Sequence, residues 1–276
     1  GVDMNIKDTQ GYSPLSWAAK NGYDKVVDLL LSQERIETDV KDKDRRTPLL
    51  WAACIGHDEV VKLLLAKEGV EVDLKDKDGK TPLLWAIQNK HEKTAALLVG
   101  TNRVDVNSKD SLGHTPLSLA IETRCNEVIE LLLGEGEVKV NLRCGGGTAL
   151  FVAVKCNVDI VELLLAKGEV ETDIEDSDGD TPLYYAISKA GTSHDYTAMA
   201  KLLLAKGANA NAKARGGWTP LHKVAYDRHL ILFFALLEVE GLEINPETDD
   251  GNTPLDMALR FGYFEIAFEI PDPDII

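Results

Sequence analysis

Residues 47–65 read TPLLWAACIGHDEVVKLLL, and this one stretch contains a complete helix-turn-helix unit. Thr47 is placed to cap a helix with its hydroxyl, and Pro48 suits the first turn because that N–H has no partner inside a helix. Leu49 to Ile55 run without a charge, and Gly56-His57 supplies a turn. A second helix follows, in which Val60, Val61, Leu64 and Leu65 form one apolar stripe. Ala52 and Ala53 are small enough to let a neighbouring helix approach closely. Such a pair of helices has more apolar surface than it can cover alone.

Outward from this unit, the same wording returns. Thr-Pro-Leu opens at Thr47, Thr81, Thr115, Thr181, Thr219 and Thr253, with Ser13-Pro14-Leu15 and Thr148-Ala149-Leu150 as variants. Successive anchors lie 34, 34, 34, 33, 33, 38 and 34 residues apart, a series that chance does not produce. Between the units run connections such as VEVDLKDKDGK at 70–80, whose alternation and Asp78-Gly79 turn predict a β-hairpin finger. A unit that cannot bury its own face is stable only when stacked. The expected fold class is therefore an all-α repeat solenoid with β-hairpin fingers, about eight stacked repeats in a curved array. Residues 1–276 are expected to form a single domain.

The fragments D-x-x-G-x-T-P-L, A-A-x-x-G-H and V-V-x-L-L-L together resemble the ankyrin repeat family, over essentially the whole chain. The long finger and the TPLLWA and TPLSWA wording look most like arrays of filamentous fungi, which often lie at the C-terminal end of multidomain, receptor-like proteins. The chain starts inside a finger, so the array is expected to be cut from a longer one. The resemblance implies a right-handed solenoid that binds proteins through its finger tips and the concave, exposed side of its first helices. The family's His after Thr-Pro-Leu survives only as His222; Ser16, Leu50, Leu84, Ser118, Phe151, Tyr184 and Asp256 replace it. The hydrogen bond of that His is expected around His222 alone.

Composition narrows the partners. Thirty Lys and Arg face 46 Asp and Glu, a formal charge of −16, which argues against nucleic acid and against an anionic membrane surface. The longest apolar run, Leu230 to Leu237, falls well short of the roughly 18–20 residues of a membrane span. Cys54, Cys125, Cys144 and Cys156 show no paired or framework spacing, which points to reduced thiols and an intracellular, cytoplasmic protein. No metal site is expected, since alignment of Gly179 with the glycine of a calcium loop puts Ile174 and Tyr185 at ligand positions. No cofactor is expected either: the glycines 145–147 are not followed by a phosphate-binding Lys. Of the histidines, His57, His91 and His229 sit at turn positions, His114 on a finger and His194 in an insertion. No nucleophile, base and orienting group converge, so no catalytic residue is expected and the protein is read as no enzyme.

Positions four, seven and eight residues after each anchor share one face of the first helix. They put Trp17, Trp51 and Trp85 at one equivalent place in successive repeats, an aromatic ladder. With Asn89, Tyr185, Trp218, Tyr226 and Phe261 these are the candidate partner-binding residues. Two readings stay open for the ladder: packing between helices, or hot spots for a partner. Finger 170–180, VETDIEDSDGD, carries six acidic residues and no basic one. There Glu175, Asp176, Asp178 and Asp180 either are simply solvated or grip a basic segment of another protein.

Two irregularities remain. Repeat six has 21 residues from its anchor to the Leu triplet of its second helix, where repeats one to four have 16, so an enlarged turn is expected near AGTSHDY at 190–196. Late in the chain, outward positions held earlier by Asp24, Asp28, Asp58 and Lys62 become Leu230, Phe234, Phe264 and Phe268. This predicts a convex apolar patch covered by the tail PDPDII, or else by another chain or a missing segment. The function these features favour is a non-catalytic protein–protein interaction scaffold. The alternative is a ligand-sensing or oligomerisation module of a larger receptor-like protein, with its oligomeric state left open.

Overall fold

The computed structural model describes residues 3–270. The chain divides into two compact units, residues 1–145 and 146–276. The first holds α1 (Pro14–Lys20), α2 (Asp24–Leu31), α3 (Pro48–Ile55), α4 (Asp58–Ala66), α5 (Pro82–Gln88), α6 (Glu92–Val99), α7 (Pro116–Thr123) and α8 (Asn126–Gly134). The second holds α9 (Ala149–Cys156), α10 (Val158–Leu165), α11 (Pro182–Lys189), α12 (His194–Ala205), α13 (Pro220–Asp227), α14 (Leu230–Leu237), α15 (Pro254–Arg260) and α16 (Phe264–Ala267). Within each unit the odd helices stack in chain order, the even helices do the same as far as α14, and each odd helix packs on its own even partner.

Local chemistry sets the helix ends. The Thr47 hydroxyl accepts the Leu50 N–H at 3.2 Å and the Thr81 hydroxyl that of Leu84 at 3.3 Å, so Thr and Pro divide the work of the first turn. Gly56, at φ 83°, ends α3 in the left-handed region, and a Cβ there would come within 2.5 Å of the His91 ring. The Gly-His pair is thus a junction between repeats: glycine supplies the turn and the room, and the next repeat's histidine fills it. His57 makes the matching contact over Gly22 and meets the Lys20 carbonyl at 3.1 Å. Leu49, Leu50, Ala52, Ala53 and Leu64 are almost wholly buried, as the stripe in the sequence requires.

The fingers depart from the expected hairpins. Among the described residues none forms a strand. The reason lies in one carboxylate. Asp42 Oδ1 accepts the N–H groups of Asp44 and Arg46, both at 2.8 Å, so a side chain satisfies donors that a strand would otherwise have paired. Neighbouring fingers then join tip to tip through single bonds: Lys43 N–H to the Gln10 carbonyl, Lys77 to Asp44, and Ser111 to Asp78, at 3.1, 3.0 and 2.9 Å.

A second periodic row ties the finger stalks together. The side-chain amide of Asn107 accepts the Lys139 N–H and donates to the Glu137 carbonyl, both at 2.8 Å. Asn5 and Asn211 make the same double bridge. Asp39 and Asp73 stand at equivalent positions but have no hydrogen to donate. Each accepts one N–H, from Glu71 or Asp105, and leaves its other oxygen buried without a partner. Burial raises the pKa of both carboxyls.

Two further expectations are corrected. The extra residues of repeat six do not make a large loop: the turn is 190–193, and the rest lengthen α12 to 12 residues. Ser193 caps the extended helix by accepting the Asp195 N–H at 3.2 Å. The bond of the family's His is also commoner than its residue. His222 Nδ1 accepts the Thr219 N–H at 3.2 Å, while Ser118 Oγ and Asp256 Oδ2 take the same bond from Thr115 and Thr253 at 2.9 and 2.8 Å. Three different side chains present an acceptor at one place.

Candidate interaction surfaces

In the first unit the three tryptophans are held by their fingers. Each indole N–H donates to an aspartate nine residues upstream: Trp17 to Asp8, Trp51 to Asp42 and Trp85 to Asp76, at 2.8, 2.9 and 2.8 Å. The other oxygen of each carboxylate takes two N–H groups of the finger turn. Against the burial that would raise it, the Trp17 indole and the turn N–H groups hold the Asp8 carboxyl below its ordinary value. In the fourth repeat Leu119 stands in the tryptophan position, and the His114 ring takes the Asp110 oxygen instead, at 3.0 Å. The finger aspartate is therefore a joint between finger and helix. Sequence reasoning passed over it as motif, although its nine-residue spacing to Trp recurs three times.

Cations interleave with these rings. The Lys20 ammonium lies 5.6 Å from the Trp17 ring centre and 4.3 Å from that of Trp51, and it donates to the Tyr12 hydroxyl at 3.1 Å. Arg46 lies between Trp51 and Trp85, at 4.6 and 5.2 Å, and Lys80 covers Trp85 at 4.8 Å. The ladder is a strip of alternating ring and charge, an arrangement that the ring quadrupole favours. Its rungs are unequally open. Trp17 is 46% exposed, Trp85 is half-buried, and Trp51 is only 8% exposed. Trp51 thus presents little surface of its own and instead holds Lys20 and Arg46 in place. Asn89, exposed, donates to the Cys54 carbonyl of the preceding repeat at 2.6 Å.

The second unit uses different rings. Lys155 lies over Phe151 and Tyr185 at 4.5 and 5.3 Å, and Tyr185 meets Tyr196 from the lengthened α12 edge-on at 6.3 Å. Further on, Trp218, Tyr226, Phe261 and Tyr263 form a run with successive centres 5.5, 5.0 and 5.9 Å apart. Tyr226 and Phe261 are 41% and 43% exposed. Here the cations have carboxylate neighbours. Lys223 pairs with Asp227 at 2.9 Å, and the charge of Asp180 acts on both Lys155 and Lys189.

In the acidic finger of the same unit, Glu175 and Asp178 are exposed and Asp176 and Asp180 half-buried. Asp176 performs the turn-closing work, accepting the N–H groups of Asp178 and Asp180 at 2.9 and 3.1 Å. Burial, then the charges of Asp176 and Asp178, raises the pKa of Asp180. Of the apolar patch, Phe234, Phe264 and Phe268 are 46%, 59% and 86% exposed, and Leu230 is half-buried. Ile231, 63% exposed, belongs with them although it was not among the sequence candidates. The tail expected to cover the patch lies outside the described residues.

Burial raises the pKa of the Cys54 and Cys125 thiols, which disfavours the thiolate. Among the described residues no group of three His, Cys, Asp or Glu is placed to hold a metal ion, and no helix is long and apolar enough to cross a membrane.

Stacked pairs of short helices, threonine-proline starts and fingers joined tip to tip define a class of interaction repeats. The sequence matches the family described as ankyrin repeats (three copies) over residues 1–76, 56–144, 137–214 and 189–270, and the chain belongs to that family. Ankyrin repeats are in general protein–protein interaction modules and typically not enzymes. Among solved structures, the chain is similar to the crystal structure of the ankyrin repeat domain of Bcl-3, described as a unique member of the IκB protein family. The two are 25% identical with a TM-score of 0.71, over 82% of this chain and 99% of that one. No curated protein matches the sequence.

Proposed function

We propose that the chain is a single, non-catalytic scaffold that binds another protein through its first-helix face and its finger tips. The observation that carries this reading is that the large side chains four, seven or eight residues past the anchors include part-exposed rings, while the framework beneath them is buried. Trp17, Trp85, Tyr185, Tyr226 and Phe261 lie half-buried or exposed above Leu15, Leu83, Leu183 and Leu221, which are at most 1% exposed. Rigid aromatics held at a partly open surface are the side chains that binding hot spots favour. In the second unit the exposed Glu175 and Asp178, with Asp176 and Asp180 behind them, suit a basic segment of the partner. The net charge of −16 and the absence of a paired cysteine pattern support an intracellular protein that binds neither nucleic acid nor membrane.

A photo-reactive side chain at position 17 or 85 tests the scaffold reading, with position 29 on the second helix as control. In extract of the native source, cross-links to one protein from 17 and 85 but not from 29 are expected. Cross-linking from 29 alone would move the site to the other face. The exposed Ile231, Phe234, Phe264 and Phe268 favour a second reading, in which this end of the chain is an oligomerisation surface. Light scattering decides it: a concentration-dependent dimer that Phe264→Ser and Phe268→Ser abolish supports self-association, and a monomer at all concentrations refutes it.

A further inference from the structure

The two units treat their cations differently, and the difference points to a partner. In the first unit the carboxylates along the ladder are fully engaged: Asp8, Asp42 and Asp76 each give one oxygen to two turn N–H groups and the other to an indole. Helices α1, α3 and α5 contain no acidic residue. The two ladder lysines meet only uncharged acceptors: Lys20 donates to the Tyr12 hydroxyl and Lys80 to the side-chain carbonyl of Gln88. Neither Lys20 nor Lys80 lies within ion-pair distance of a carboxylate among the described residues, and Arg46 is only loosely paired, its Nε 3.8 Å from Asp76 and without a hydrogen bond. Rings hold the Lys20 and Lys80 charges in position without neutralising them, since a ring quadrupole carries no net charge. In the second unit Lys223 is ion-paired with Asp227 at 2.9 Å, and the charge of Asp180 acts on Lys155 and Lys189.

We propose that the first-helix face of the first unit docks an acidic segment of a partner protein. Its carboxylates would approach Lys20, Arg46 and Lys80, and its apolar side chains would lie on the open rings of Trp17 and Trp85. The proposal rests on the scaffold reading and adds to it the sign of the partner's charge. A basic segment would meet three fixed cations on this strip, and like-charge contact is what excludes wrong partners. A long polyanion such as nucleic acid would have to approach the whole chain, whose charge is −16, whereas a short acidic segment meets only the strip.

The experiment is calorimetric titration of the full chain with three short peptides that alternate Tyr with Glu, Lys or Gln, and with an oligothymidylate of similar length. The Glu peptide is expected to bind at least about tenfold more tightly than the other two, and more weakly as salt is raised. Lys20→Gln with Lys80→Gln should remove about tenfold of that affinity, and Lys155→Gln with Lys189→Gln should leave it unchanged. If the double variant fails to unfold cooperatively, Lys80→Met alone, which keeps a stem on Trp85, gives the same reading through a smaller loss. Equal or tighter binding of the Lys peptide, of the Gln peptide or of the oligonucleotide overturns the proposal, as does undiminished binding of the Glu peptide to the Lys variants. Cross-links from positions 17 and 85 alongside indifference to the Glu peptide would defeat the acidic segment and leave the scaffold standing. Loss of those cross-links would defeat the scaffold.

Discussion

Trp51 in the first unit and Tyr185 in the second occupy the same place in their repeats, four residues past the anchor threonine. The finger aspartates before them, Asp42 and Asp176, close their turns by the same two N–H bonds. Beyond that point the two repeats separate. An indole has an N–H that must find an acceptor once buried, and the free oxygen of Asp42 supplies it, so finger, helix and ring become one unit. The ring of Tyr185 instead meets Phe151, Tyr196 and Lys155, and Asp176 reaches it only through its charge. The difference teaches that one framework position, recurring from repeat to repeat, can either weld the finger to the helix or leave the finger's charge to its surroundings. Along the ladder of the first unit the finger carboxylates are engaged by indoles and turn N–H groups, and Lys20 and Lys80 stand without an ion pair.

The largest expected effect tests the apolar end of the second unit. Phe233 is fully buried and Phe234, beside it on α14, is 46% exposed. Phe233→Ala should cost about 3–5 kcal/mol in urea denaturation, and Phe234→Ala about 0.5 kcal/mol or less. Similar losses would mean that Phe234 is covered in solution.

Next comes the welded joint itself. Asp42→Ala removes a charged acceptor from two turn N–H groups and orphans a buried indole, so a loss of about 2–4 kcal/mol is expected, with a changed near-ultraviolet signal from Trp51. Asp176→Ala breaks only the turn bonds and should cost about 1–2 kcal/mol. Equal losses would break the comparison, because the indole bond would then add nothing.

A smaller effect, of opposite sign, is expected at the stalks. Asp39→Asn and Asp73→Asn supply the missing donor and should each stabilise by about 1 kcal/mol at neutral pH, whereas Asn211→Asp in the second unit should destabilise by a similar amount. Burial, the first cause in both carboxyls, raises their folded pKa, opposed by the N–H groups of Glu71 and Asp105. The charges of Glu71 on both, and of Asp105 on Asp73, raise it further, while Lys41 and Lys75 lower it. The stability these groups contribute is complete below the ordinary aspartate value and is lost as pH rises through the raised one. The gain from the Asn variants should therefore shrink as pH falls toward the ordinary aspartate value, and a gain that grows with acidity would refute the assignment. The smallest effect belongs to the open rung: Trp17→Phe, with an exposed acceptor in Asp8, should shift stability by about 0.5 kcal/mol or less.

Much of the fold was legible because it is local and repeated. The threonine cap, the proline after it, the Gly-His turn and the apolar stripe are decided within a few residues of one another, and eight copies make the pattern unmistakable. The form of the fingers is not legible in this way: alternation in VEVDLKDKDGK reads as a strand, while the turn-closing carboxylate that replaces the ladder acts through geometry. The insertion of repeat six was placed correctly along the chain and misassigned in form, since Ser193 and Asp195 start a helix earlier than the pattern of the other repeats suggests. The row of Trp17, Trp51 and Trp85 was visible as a row. Their unequal exposure was not, because it depends on which side chains of neighbouring repeats close over each ring.

The sequence alone therefore determined the family, the period, the helix starts and the face on which the large rings stand, all of which follow from spacing along one chain. Only the tertiary structure decided which charges are spent and which are open. An aspartate reads the same in sequence whether its oxygens are engaged or idle, and a lysine reads the same over a ring or beside a carboxylate. Those differences arise where side chains from successive repeats meet, across about 34 residues of chain but only a few ångströms of space.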